Sequence, residues 1–162
     1  MPWQFSPPAV GGRYDAQRSI EHEIDDVLGL GSHINFRSDL RPQDLFSWSS
    51  SGVRNVSATG TRYFSINQGA TRVVSFNQNS MGDFGDWLSS GCPQSTPYVQ
   101  NAFSCPGQLS DVTATSPEGV NLDVIGYNLI RIPDSGELIS IRMGHPTTFF
   151  STPAPDRQRS GI

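Results

Sequence analysis

Between Arg18 and Gly31 the apolar residues Ile20, Ile24, Val27 and Leu28 recur at i, i+4, i+7 and i+8. That is the period of an amphipathic helix whose stripe faces a core. Gly29 and Gly31 supply its stop. A second helix is predicted over 116–129, where Ser116 caps, Pro117 takes the first position and Glu118 favours the positive end. Leu122, Ile125 and Leu129 form its stripe. Between the two helices the period falls to two. RYFSI and TRVVSF, joined by NQGA, read as a β-hairpin with Phe64 and Ile66 on one face and Val74 and Phe76 on one face. Leu45 to Trp48 alternate as a short strand does. Two further alternating runs flank Pro133-Asp134-Ser135-Gly136, a turn sequence, and predict a terminal hairpin. The pattern describes an α+β fold with two helices on a small antiparallel sheet, and it places Ile24, Leu28, Leu122 and either Val124 or Ile125 in one core.

Other stretches carry no period. Residues 1–17 read as an extended lead-in, since Pro2, Pro7, Pro8, Gly11 and Gly12 bar regular structure. Residues 77–110 are rich in Gly, Ser, Pro and Asn and contain the acidic patch GDFGDW, with Asp83 and Asp86. Loops of this length in a compact domain are functional or disordered. The segment after Met143 reads as a disordered tail, which makes His145 a stray tail histidine. The chain thus divides into a lead-in over 1–17, a domain over 18–130, and a hairpin with tail over 131–162.

Composition narrows the class. With 162 residues the chain suits one domain. The formal charge is −4, and all 11 basic residues are arginines scattered singly, which gives no electrostatic footprint for nucleic acid. No apolar run approaches the ~18 residues of a membrane span. The N-terminus is not patterned as a secretory leader, so export would need a leader outside this sequence. Cys92 and Cys105 close a Gly/Pro/Ser-rich loop. Bonded in an oxidising compartment, they would stabilise by about 3 kcal/mol on a loop-entropy estimate; two free thiols are the alternative. A C-x-x-C spacing is absent, which argues against zinc or redox chemistry at these cysteines.

The first helix also carries candidate chemistry. His22 and Asp26 stand one turn apart on the face opposite the apolar stripe, with Glu23 beside them. This is the H-E-x-x-H frame with Asp as its second ligand. Two ligands at i and i+4 can bind one zinc ion, a carboxylate oxygen can replace an imidazole nitrogen, and the Glu can take a proton from the water activated there. The alternative is that these charges form the wet face of a surface helix.

Taken in order, HEIDDVLGLGS, DLFSWSSSGVR, RYFSINQG, GDFGDW and NLDVIGYNL resemble a group of secreted bacterial zincin-like metalloproteases. In that group a His-Glu-Ile-x-His-x-Leu-Gly helix precedes Asp-Leu-Phe-x-x-Ser, Tyr-Phe-Ser, Gly-Asp…His-Trp and Leu-Asp-Val-Ile-Gly-Trp/Tyr blocks. The resemblance covers about residues 18–130. It implies that His22 is the first zinc ligand and Glu23 the general base, and that Asp26 and Asp86 stand where the group has histidines. The metzincin register for a third ligand falls on Ser32, beside His33, and Met81 does not form the familiar Met-turn. Two functions follow as expectations. One is a zinc metallopeptidase acting on peptide or protein substrates, with metal on His22, Asp26 and Asp86. The other is a non-catalytic secreted or surface-binding module whose acidic site is empty or holds calcium on Asp26, Asp83 and Asp86.

Overall fold

The computed structural model describes residues 2–34, 39–131 and 139–143. Two short strands, β1 (Trp3–Gln4) and β2 (Tyr14–Asp15), pair in parallel, so the lead-in is less irregular than its prolines suggest. Helix α1 (Ala16–Asp25) follows, capped by Asp15, whose carboxylate accepts from the Gln17 N–H at 3.1 Å. It opens into a π turn over Asp26–Leu30 and stops at Gly29, where φ is +125°, a conformation that favours glycine.

A 3-10 turn at Pro42–Phe46 leads into the main sheet. Its strands are β3 (Ser47–Ser50), β4 (Val53–Arg54), β5 (Tyr63–Phe64) and β6 (Val74–Ser75), antiparallel in the order β4-β3-β5-β6. The expected hairpin is present, with Tyr63 opposite Ser75 and Phe64 opposite Val74. Ile66 does not share the buried face of Phe64, because the chain turns at Ser65, whose hydroxyl takes the Gly69 N–H at 3.1 Å. The strand expected at Leu45–Trp48 begins only at Ser47, the 3-10 turn occupying its first half.

Helix α2 (Pro117–Val124) is capped by Ser116, which accepts from the Gly119 N–H at 3.3 Å. It is shorter than the periodicity implies. Gly126, at φ +113°, turns the chain into β7 (Tyr127–Arg131), so Leu129 belongs to a strand. β7 pairs with β8 (Ile139–Met143), as the terminal hairpin requires, while its turn at 133–136 and the tail with His145 lie outside the described residues. Among the described residues no helix is long and apolar enough to cross a membrane. Cys92 and Cys105 are bonded, with Cα atoms 5.6 Å apart.

Two apolar clusters meet at α2. Leu122 and Ile125 join Leu28, Leu30, Val99 and Val112 on one side, and Val120 and Val124 join Phe64, Phe76 and Trp87 on the other. The expected grouping of Leu28 with Leu122 and Ile125 is therefore found. Ile24 is not part of it. Ile20, Ile24 and Val27 are 58%, 48% and 86% exposed, and with Trp3 and Phe5 they line an open apolar groove of about 710 Å³. The helix has its polar face inward. Periodicity marks a stripe but not which side of it is buried, and the polar side can go inside when its groups find hydrogen-bond partners.

This orientation has a direct test. Ile24→Ala should change stability by less than about 0.5 kcal/mol, as surface substitutions do, whereas Leu122→Ala should cost about 2–5 kcal/mol, both read from urea unfolding. A large loss for Ile24→Ala would mean that α1 is turned the other way.

Candidate metal centre

Burial of the polar face of α1 brings together three residues that the sequence singles out. His22, Asp26 and Asp86 each offer one ligand atom, and these atoms lie within 4.8 Å of one another. His22 Nε2 is 3.4 Å from Asp86 Oδ1 and 4.0 Å from Asp26 Oδ2. A tetrahedron of ~2.1 Å bonds around zinc has an edge of about 3.4 Å, so the closer pair already has ligand spacing. The side chains of His22, Asp26 and Asp86 are 14%, 29% and 4% exposed, so the cluster opens toward solvent on the Asp26 side.

The histidine tautomer follows from its partner. His22 Nδ1 lies 3.1 Å from the Val99 carbonyl oxygen, which can only accept, so Nδ1 carries the hydrogen. Burial lowers the pKa of His22, which keeps the ring neutral and leaves the Nε2 lone pair facing two carboxylates. The carboxylates are strained in the same sense. Burial, with Asp26 and Asp83 nearby, raises Asp86 to about 8, and burial with Asp83 raises Asp26 to about 6. A lone pair and two carboxyl groups converging on one point, with the imidazole oriented from behind by a backbone carbonyl, fit a divalent cation. The cluster can hold a metal ion.

Glu23 stands differently. It is exposed, lines the apolar groove beside Ile20 and Ile24, and raises the proton affinity of both His22 and Asp26 through its charge. Its charge is thus felt at the cluster, while its side chain takes no part in the cluster's hydrogen bonds. Ser32 and His33 lie elsewhere: the Ser32 hydroxyl donates to Asp44 at 2.8 Å, while His33 pairs with Asp39 and accepts from Arg41. Asp83 accepts the backbone N–H groups of Ser32 and Gly85 through one oxygen, which ties the acidic loop to the turn after α1.

Asp86 reaches the cluster because its loop is added to the edge of the main sheet. Trp87 bridges to Phe76 on one side and Asn101 on the other, with Asn77 N–H donating to the Asp86 carbonyl at 2.7 Å and Trp87 N–H to that of Gln100 at 2.8 Å. This register places the Gln100 carboxamide between the two carboxylates, 2.6 Å from Asp26 Oδ1 and 3.3 Å from Asp86 Oδ1. Buried Glu118 of α2 then accepts from both Trp87 Nε1 and the Gln100 N–H, at 3.1 and 2.9 Å. On the other flank Arg62, buried over the Phe76 ring, donates to the Phe84 carbonyl at 2.9 Å and lies 3.9 Å from Asp44. Burial lowers Arg62 to about 10.

Val99, Gln100 and Arg62 escaped the sequence reading, and Glu118 was read only as a helix-start residue. Each acts through a contact far along the chain, and a lone Gln or Glu gives no spacing signal. The molecule is thus an α+β protein with an imidazole–carboxylate cluster built between one helix and two loops. Comparison of the chain with known protein families, with curated proteins and with solved structures finds no match in any of the three.

The loop packing is tight at one point. A Cβ on Gly85 would stand 2.2 Å from Gln43 Nε2, 2.5 Å from the Leu30 carbonyl oxygen and 2.8 Å from Ser32 N. Backbone atoms at that distance cannot swing away, so Gly85→Ala should lower stability by about 1–3 kcal/mol in urea unfolding. A variant as stable as the parent would show that the acidic loop does not press on the turn after α1.

Proposed function

We propose that the chain is a zinc-dependent metallopeptidase of zincin-like type, acting outside the cell on peptide or protein substrates. The observation that carries this reading is the orientation of His22, whose Nδ1 is fixed by the Val99 carbonyl so that Nε2 meets Asp86 and Asp26. Three protein ligands with one solvent-facing side suit a catalytic rather than a structural zinc, which is closed by four. A zinc ion held there would polarise a substrate carbonyl and acidify a water molecule. His22, Asp26 and Asp86 would hold the ion, Gln100 bridges the two carboxylates through one amide nitrogen donor, and Glu23 would accept a proton from water and pass it to the leaving amine. Two carboxylates lower the charge on the metal relative to a three-histidine set, which makes slow turnover the expectation. The Cys92–Cys105 bond is compatible with an oxidising, extracellular setting.

A second reading, a non-catalytic binding module with a calcium-type site, is favoured by the two oxygen donors and by the separation of Glu23 from the cluster's hydrogen bonds. The imidazole nitrogen counts against it, because calcium prefers oxygen, and Asp83 is engaged by backbone N–H groups.

Substitution separates the two. Asp26→His restores the usual helix pair and should raise zinc affinity about tenfold or more, measured by competition with a chromophoric chelator. Glu23→Gln should leave zinc content unchanged and reduce peptide hydrolysis about 100-fold or more. A parent that binds calcium but not zinc, with no hydrolysis, would favour the binding module.

A further inference from the structure

The side of the metal cluster that faces the protein comes largely from one short loop. Cys92 and Cys105, 13 residues apart, bracket Val99, Gln100 and Asn101. Val99 fixes the His22 tautomer, Gln100 spans Asp26 and Asp86, and the Asn101 carbonyl accepts from Arg18 on the buried face of α1. The loop has no helix or strand of its own. It is kept in shape by the isolated bridge from Asn101 to Trp87, by side-chain amides such as Gln94 donating to the Phe103 carbonyl at 2.6 Å, and by the disulfide. Cys105 is buried beneath the loop, whereas Cys92 is exposed, so the bond can be approached from the Cys92 side.

We propose that the Cys92–Cys105 disulfide controls the metal centre, making its affinity for a divalent cation dependent on thiol redox state through Gln100. The inference builds on the metal reading above. A dithiol reductant opens the switch: the Cys92–Cys105 bond breaks, its sulfurs receive two electrons and two protons, and the dithiol becomes a disulfide. Released from closure, the 92–105 loop gains conformations in which the Val99 carbonyl and the Gln100 carboxamide no longer face His22, Asp26 and Asp86. Loss of such outer partners weakens metal sites by about 10–100-fold. Gln100 is here a positioning residue, holding the carboxylates at a spacing that a cation can bridge.

The test is a Zn²⁺ titration of the full chain against a chromophoric chelator, comparing three forms with intact near-UV circular dichroism. These are the oxidised protein, the same protein reduced with a dithiol and freed of it anaerobically, and oxidised Gln100→Met, which keeps the volume of the side chain but not its donor. The expected result is zinc affinity about tenfold or more weaker in the second and third forms. Reduction of Gln100→Met should then add less than it does in the parent, because both changes act through one contact. Equal affinity of the oxidised and reduced protein would overturn the redox control and leave the metal site standing. An oxidised Gln100→Met protein that binds as the parent does would overturn the route through Gln100. Reduction that unfolds the chain would also overturn the proposal, since the bond would then hold the fold rather than the site. Failure of the oxidised parent to bind zinc would remove the metal reading and this inference together.

Discussion

Glu118 is the point on which the two halves of the structure turn. Its carboxylate, buried on α2, accepts from the Trp87 indole and from the Gln100 backbone, so one side chain fixes both loops that complete the cluster. Trp87 in turn lies in the aromatic cluster with Phe64 and Phe76, where its ring is 5.2 Å from that of Phe76. Glu118 therefore ties the aromatic core to the polar site. A hydrogen bond to a charged acceptor inside a protein is about twice as strong as a neutral one, and losing its acceptor would orphan two buried donors.

Burying the polar face of α1 is costly, and the molecule carries that cost visibly. Asp25 is buried with one carboxylate oxygen unpartnered, and burial together with the nearby Glu118 raises it to about 8. One oxygen of Glu118 and the amide oxygen of Gln100 are likewise without partners in the interior. The same orientation leaves Ile20, Ile24 and Val27 exposed in an open apolar groove.

How much of this was legible in the chain depended on whether a feature is local. Helices at 16–25 and 117–124, the hairpin between Phe64 and Val74, the terminal strand pair and the cysteine bridge were all readable, because caps, turns and periodicity act over a few residues. The frame of His22, Glu23 and Asp26 was legible for the same reason: one turn of helix sets it. Asp86 stood out locally only as part of an acidic patch and became a ligand candidate through the family resemblance; the structure brings it beside His22, 64 positions away in sequence.

What the tertiary structure alone decided was the direction in which α1 faces. A hydrophobic period is symmetric between a helix whose stripe is inside and one whose polar side is inside; only the partners supplied by other segments break that symmetry. Here Val99, Gln100 and Asn101 supply them, and none belongs to a motif. The local chain therefore determined the elements and the first ligands. The face that became the interior, and the side chains that hold the ligands there, were determined by hydrogen bonds between residues far apart in sequence, whose energies no local pattern records.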